Sequence, residues 1–225
     1  MRYILVLTSS FAIASCLFGA TADQVLSRMD AGAAKFQGLS ADVSRITYTK
    51  VIDDKSSESG KILLKKQGPK DLQVLIDLVK PDAKTISFRG RRAEIFLPNI
   101  KTVQEYDLGK QGGLVDQFLL VGFGTTGREL KSNYSVKYAG QETIAGQSAH
   151  KLELTPIGEQ LKERLRKLEL WITETGEYPV QQMFTLPSGD YYLFTYSGVK
   201  VNPPLNDETL RLKLPKGVKR EKMQK

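Results

Sequence analysis

Hydrophobic and polar residues alternate with a period of two along most of the chain, which is the pattern of β-strands that bury one face. The clearest segment is 71–79, where one face carries only aliphatic side chains: Leu72, Val74, Ile76 and Leu78. The alternation predicts strands over 59–66, 71–79, 84–88, 93–97, 101–106, 134–138, 150–154, 167–173, 179–184, 190–196 and 210–214. Gly90 lies in a short polar link between two of them, which is typical of a hairpin.

Two segments do not follow this alternation. Residues 23–36 carry apolar side chains at four-residue spacing, which predicts an amphipathic helix capped by Thr21 or Asp23 and stopped at Gly38. Residues 112–124 are apolar almost all round and are bracketed by glycines, which favours a short helix. Because no long crossover helix separates the strands, we expect a strongly bent antiparallel sheet or open barrel of roughly ten strands.

Several predicted strands are apolar on both faces and therefore need cover on both. In 190–196, Tyr192, Phe194 and Tyr196 share one face, and in 167–173 Trp171 opposes Leu170 and Ile172. Ile95 and Leu97 likewise oppose Phe96. Two arrangements supply such cover: a closed core, or a bent sheet wrapped around a helix with its concave side open to a ligand.

The first two dozen residues have the pattern of an export signal. Arg2 is followed by an apolar run over 3–14, and Ala20-Thr21-Ala22 supplies a cleavage site, so we expect a signal peptide over 1–22. A second interpretation is a lipoprotein signal, in which 13–16 is a lipobox and the chain is cleaved before a lipidated Cys16. The expected location is the periplasm, either free or anchored to a membrane through Cys16.

Composition narrows the functional classes. The 225 residues carry a net charge of +8, which falls to +7 without Arg2. Such a charge suits nucleic acid, an anionic membrane surface or simple solubility, and export argues against nucleic acid. Cys16 is the only cysteine, so no intramolecular disulfide forms and an ordinary core must hold the domain together.

The chain offers little for catalysis. His150, the only histidine, falls in an alternating segment, and a zinc site of His and Cys has too few ligands. Residues 122–127, "GFGTTG", match G-x-G-x-x-G, but no βαβ unit surrounds them. We therefore expect no enzyme, no metal and no cofactor.

An arginine cluster, "RGRR" over 89–92, allows two interpretations. Arg89, Arg91 and Arg92 could clamp a phosphate or carboxylate, or they could be the solvated tip of a hairpin. The hairpin tip is the favoured interpretation.

Seven segments follow one another in an order that is typical of one family. They are "FQGLSADVSRITYT", "GKILLKK", "KPDAKTISFRGRRAEIFLPNIKTVQEY", "FLLVGFG", "LELTP", "WITETGEYPVQQ" and "LRLKLPKGV". In this order and spacing, over about 23–218, the chain resembles the LolA/LolB-like periplasmic carriers of outer-membrane lipoproteins. It departs from the family at 67–69, where Gln-Gly-Pro replaces Arg-Pro, and at 94–96, where Glu-Ile-Phe replaces Trp-x-Tyr. The family arginine that is proposed to hold the lid has no clear counterpart.

The resemblance implies a mainly β, half-open antiparallel barrel over 23–218, covered by short helices and followed by a flexible basic tail over 219–225. It also implies a monomeric carrier that takes lipoprotein or lipid acyl chains from an inner-membrane donor complex to an outer-membrane acceptor. The alternatives are a membrane-anchored acceptor like LolB and a sensor of envelope stress with the same fold.

The implied site has three parts. The apolar cavity is expected to be lined by Leu72, Val74, Ile76, Leu78, Ile95, Phe96, Leu97, Trp171, Tyr192, Phe194 and Tyr196. A lid is expected at Leu114, Val115, Phe118, Leu119 and Val121, and a headgroup contact at Arg89, Arg91 and Arg92. In the absence of ligand, the protein's own apolar residues are expected to fill part of the cavity.

Overall fold

The structure is a computed structural model that describes residues 20–68, 71–107, 121–175 and 178–223. Helix α1 spans Ala22–Lys35, one residue earlier at each end than the pattern predicts. It begins where Thr21 and Gln24 form a capping box, in which each side chain accepts from the other residue's backbone N–H. Its buried face consists of Val25, Leu26, Met29 and Ala33.

In the part of the chain that the structure describes, twelve strands form one sheet. They are β1 (Gly38–Thr49), β2 (Asp54–Gly68), β3 (Asp71–Lys80), β4 (Lys84–Arg89), β5 (Arg92–Leu97), β6 (Thr102–Asp107), β7 (Tyr134–Ile144), β8 (Gln147–Pro156), β9 (Lys167–Thr173), β10 (Pro179–Thr185), β11 (Tyr191–Val201) and β12 (Lys219–Lys222). Two further helices are short: α2 over Gly127–Asn133 and α3 over Glu159–Lys162. The expected mainly β, half-open antiparallel architecture is confirmed.

The topology divides the sheet into two meanders of consecutive antiparallel strands. Strands β1–β6 form the first meander and β7–β11 the second. The two are joined by antiparallel pairing of β1 with β11, in which Val43 lies opposite Tyr196. At the far edge, β12 pairs with β6 in parallel.

Three features differ from the sequence-based expectation. The alternation did not predict β1, because its inward-facing positions change from Leu39 and Val43 to polar Arg45 and Thr47 along the strand. Residues 210–214 form no strand, although Leu210 is fully buried. The expected flexible tail is also wrong over Lys219–Lys222, because these residues form β12.

One face of the sheet, called the concave face below, holds the helices. Val25, Leu26 and Met29 of α1 pack on the inward side chains of the second meander. These side chains include Leu152, Leu154, Leu168, Leu170 and Phe184. Leu130 of α2 joins the same cluster, so helices fill the concave side of the second meander.

The glycines of 122–127 have a packing role. Gly124 has a φ of +65°, and a Cβ there would lie 2.5 Å from the Phe36 ring. A Cβ on Gly127 would lie 2.8 Å from the Leu26 Cβ, and the Gly127 N–H donates to Asp30 Oδ1 at 2.7 Å. The segment therefore presses closely on α1, and the strand that follows α2 pairs antiparallel with β8, unlike a dinucleotide-binding βαβ unit.

His150 connects α1 to the sheet. Arg28 Nη2 lies 3.4 Å from His150 Nε2 and, since a guanidinium only donates, Nε2 must accept. The other ring nitrogen, Nδ1, lies 3.2 Å from the Tyr138 hydroxyl. Burial, together with the charge of Arg28, lowers the pKa of His150, and Glu174 opposes this shift.

This contact predicts a pH-dependent stability. Because the folded-state pKa of His150 lies below its usual value near 6.5, the unfolded chain binds the proton more tightly. The stability that neutral His150 contributes is fully present when the pH is above this usual pKa. It is lost as the pH falls through the folded-state pKa. Urea denaturation between pH 7.5 and 5 should show this loss, and His150→Gln should remove that part of the pH dependence. An unchanged slope in the variant would contradict the assignment.

Candidate functional site on the concave face

The first meander presents two rows of side chains on its concave face. The inner row begins with fully buried Leu39, Leu64 and Val74, and continues across β4, β5 and β6 as Phe88, Ala93 and Tyr106. The next row is Ala41, Ile62, Ile76, Ile86, Ile95 and Gln104. Both rows are apolar apart from Gln104 and the Tyr106 hydroxyl.

Burial along these rows is uneven. The residues near β1 and β2 lie in a core cluster with Phe36 and Phe123. Toward the β6 edge, large side chains are only half-buried, namely Ile76, Phe88, Ile95, Leu97 and Tyr106. Described helices cover the second meander but not this region, so its apolar side chains are the strongest candidate for a ligand surface.

The structure brings most of the predicted cavity residues to this face. Val74, Ile76, Leu78, Ile95 and Leu97 lie on the concave side of the first meander. Tyr192, Phe194 and Tyr196 lie on the same side of β11, opposite Thr47, Arg45 and Val43. Leu72 is in β3, but its side chain lies outside the described residues.

Two predicted cavity residues lie on the outer face instead. Phe96 pairs with Thr85 and Val103, which alternate with the concave rows. Trp171 packs with Ala149 and Val180. Its Nε1–H donates to Glu142 Oε2 at 2.6 Å, and Lys151 Nζ lies 4.7 Å from the ring centroid. The alternation in the sequence separates the residues of a strand into two faces, but it does not indicate which face is concave.

The predicted lid residues Leu114, Val115, Phe118 and Leu119 lie outside the described residues. Val121 is described and is 4% exposed in the core cluster of α1. Its carbonyl accepts from Gln182 Nε2, and Gln182 Oε1 accepts from the Tyr196 hydroxyl at 2.7 Å. Burial raises the pKa of Tyr196, so this hydroxyl stays a donor. Val121 is therefore anchored to β10 and β11.

The predicted headgroup arginines are not on the concave face. Arg89 and Arg92 face each other across the β4–β5 hairpin and align with Gln73 on the outer side of the sheet. Arg91 lies in the turn. The sheet separates these arginines from the apolar rows.

A cluster of three charged residues at one end of the concave face was not predicted. Glu58 on β2 forms salt bridges with Arg45 on β1 and with Lys84 at the start of β4. The Glu58 side chain is only 14% exposed, and Arg45 Nε is buried without a hydrogen-bond partner among the described residues. These residues are far apart in sequence. The one sequence signal for them is that each is a charged residue on a strand face whose other residues are mostly apolar.

The electrostatics of this ion cluster favour an additional anion. Burial lowers the pKa of Arg45, and burial together with the Arg45 charge lowers the pKa of Lys84. Arg45 and Lys84 share the Glu58 carboxylate next to Phe194 and Tyr192, and Asp82 raises the pKa of Lys84 against this trend. The concave face therefore combines an apolar floor with an end that carries two cations.

Within the residues that the structure describes, no group of His, Cys, Asp and Glu is arranged to hold a metal ion. The described helices include none that is long and apolar enough to cross a membrane.

Solved structures of other proteins share this overall fold at low sequence identity. An uncharacterised conserved protein from Thermus thermophilus aligns with a TM-score of 0.55 at 13% identity, over 90% of this chain and 99% of that chain. MucB aligns with a TM-score of 0.54 at 14% identity, over 85% of this chain and 62% of its own. This chain thus spans less than two thirds of MucB.

A LolA superfamily protein from Nitrosomonas europaea aligns with a TM-score of 0.38 at 17% identity, over 86% of this chain and 98% of that chain. No family model and no curated protein sequence matches the chain. The likeness to the Thermus thermophilus protein and to MucB shows the fold alone, and the function has to be argued from the site.

The ion cluster should contribute to the free energy of unfolding through Glu58. Glu58→Gln leaves Arg45 and Lys84 close together without a shared carboxylate, and should lower the free energy of unfolding by about 1–3 kcal/mol. Lys84→Gln keeps the Arg45–Glu58 pair and should change it by no more than about 0.5 kcal/mol. Urea denaturation of both variants tests this, and equal losses would show that Glu58 does not bridge the two cations.

Proposed function

We propose that this protein binds the acyl chains of lipoproteins or lipids on the concave face of its first meander and carries them between the membranes of the cell envelope. The observation behind the proposal is the uneven filling of the sheet. Helices cover the second meander, while Ile76, Phe88, Ile95 and Tyr106 of the first remain half-buried on the same face.

The energetics of acyl-chain burial suit a partly filled site. Each buried methylene contributes about 0.8 kcal/mol, so a chain of about 15 methylenes gains roughly 12 kcal/mol before the costs of binding. A carrier that kept this whole gain would not release its cargo. Ile62 and Val74 already pack against the protein's own core, so an acyl chain can bury only the part of its surface that lies against the half-buried side chains.

The ion cluster gives the ligand an orientation. Acyl chains attached to an anionic or strongly polar group would place that group toward Arg45 and Lys84, and the tail along the row of Ile76, Ile86 and Ile95. Arg45 Nε provides a donor with no described partner. A buried donor of this kind gains most from a charged acceptor.

Two alternative functions remain, and each can be distinguished from a carrier by a measurement. A membrane-anchored acceptor requires lipidation at Cys16, which the mass of the mature N-terminus would reveal. A sensor module of the same fold would respond to lipid without transferring it between vesicles. Transfer of a labelled lipid from donor to acceptor vesicles separates a carrier from a sensor.

The test of acyl-chain binding uses Ile95→Glu. A carboxylate in the middle of the apolar row should weaken binding of a fluorescent fatty-acid probe by at least about tenfold, because a charge cannot be buried against the tail. Fluorescence titration gives the Kd, and native mass spectrometry of protein purified from periplasm gives the bound lipid.

The matched control is Val79→Glu. Val79 is also in the first meander, on β3, but it follows the inward-facing Leu78 and is 56% exposed. It should leave both binding and thermal stability nearly unchanged. If Ile95→Glu folds and binds the probe as tightly as Val79→Glu, the concave face is not the acyl-chain site.

A further inference from the structure

We infer that the outer face of the first meander carries a second binding site, for the phosphate group of a small organic phosphate. The site is a cleft of about 470 Å³ between strands β3–β5 and the segment that leads to β12. It lies across the sheet from the proposed acyl-chain surface and does not depend on that proposal. Its lining consists of Gln73, Ser87, Arg89, Arg92, Glu94, Leu210, Arg211, Leu212 and Arg220.

The cleft is held open by contacts at both ends of the covering segment. At one end, Asp207 accepts from Lys65 Nζ at 2.9 Å and from Gln67 Nε2 at 3.1 Å. At the other end, β12 pairs with β6, and Arg220 Nη1 donates to Glu94 at 2.7 Å and to Glu105 at 2.5 Å. Leu210 is fully buried between these anchors. The covering segment is thus a fixed wall.

The charge of the lining is strongly positive. Four guanidinium groups and one carboxylate face the cleft, and Arg220 already engages that carboxylate. Arg89 and Arg92 are direct cross-strand partners, and like charges in that position destabilise a hairpin. Three carboxylates lie outside the lining. Glu105 accepts from Arg220, and its pKa is lowered first by Arg220 and also by Arg92. Asp107 lies opposite Arg92, and Asp207 has its pKa lowered first by Lys65 and also by Arg89. A bound anion would offset the repulsion between the two arginines.

The floor supplies neutral hydrogen-bonding groups. Gln73 is 2% exposed and Ser87 is 8% exposed, although both are polar. Gln73 Oε1 accepts from Gln67 Nε2 at 3.2 Å. The floor thus offers an amide and a hydroxyl, which suit a ligand with phosphate oxygens or hydroxyl groups better than an apolar one.

Size and chemistry together define the ligand class. The volume is at the lower end of the range for small-molecule sites, about 300–1,000 Å³. One arginine guanidinium can donate two parallel hydrogen bonds to the oxygens of a phosphate. The ligand is therefore a phosphomonoester on a small hydroxylated carrier, either free or as the headgroup of a lipid.

Isothermal titration calorimetry of the full mature chain with glycerol 3-phosphate tests the site. Arg89→Ala and Arg92→Ala should each weaken binding by about tenfold, since each removes charge-assisted hydrogen bonds. Arg91→Ala is the matched control, because it removes the same charge from the same hairpin but does not line the cleft. It should change the Kd by no more than about twofold.

Glu94→Gln gives a change in the opposite direction, which a misfolded variant cannot imitate. Removing the one lining carboxylate should tighten binding by about threefold. Vesicles with phosphatidic acid, compared with phosphatidylcholine vesicles, distinguish a lipid headgroup from a free ligand. The inference is overturned if the unmodified chain binds neither glycerol 3-phosphate nor phosphatidic acid vesicles, if Arg91→Ala weakens binding as much as Arg89→Ala, or if Glu94→Gln weakens it.

Discussion

A wide antiparallel sheet has to cover its apolar concave face, and this requirement shapes the rest of the molecule. Helix α1 and the segment through α2 supply cover for β7–β11, where Leu152, Leu168 and Leu170 are fully buried. The same elements reach β1 and β2 only through Phe36 and Phe123. Beyond them, the apolar rows continue to β6 with half-buried side chains. Among the described residues, the helices therefore cover one half of the sheet and leave partly buried apolar side chains on the other half.

The two faces of the first meander have different chemistry within one set of strands. Alternate residues of β3, β4 and β5 point either to the aliphatic rows or to the cleft with Gln73, Ser87 and Glu94. Arginines line the cleft on the outer face. On the concave side, Arg45 and Lys84 both form salt bridges with Glu58. Strand alternation therefore gives one layer of strands an aliphatic face and a polar face that carries arginines.

The sequence predicted the elements better than their assembly. Period-two alternation found β3, β5 and β9, because their buried side chains form regular runs. It missed β1, whose inward positions become polar, and β12, whose four residues are all exposed and are held by edge pairing. Trp171 and Phe96 were assigned to the cavity because alternation defines two faces without saying which is concave. The Arg45–Glu58–Lys84 cluster depends on pairing between three strands, and no local pattern encodes it.

The order of the strands also affects how the chain can assemble. Within each meander, neighbouring strands are joined by links of at most ten residues, but Val43 meets Tyr196 across 153 positions of sequence. This seam and the β6–β12 pairing join distant parts of the chain, and topologies with distant pairings fold slowly. Until the seam forms, β1 and β11 each have an unpaired edge. At high concentration, β11 of one molecule can meet β1 of another, which makes this seam the natural place for domain exchange.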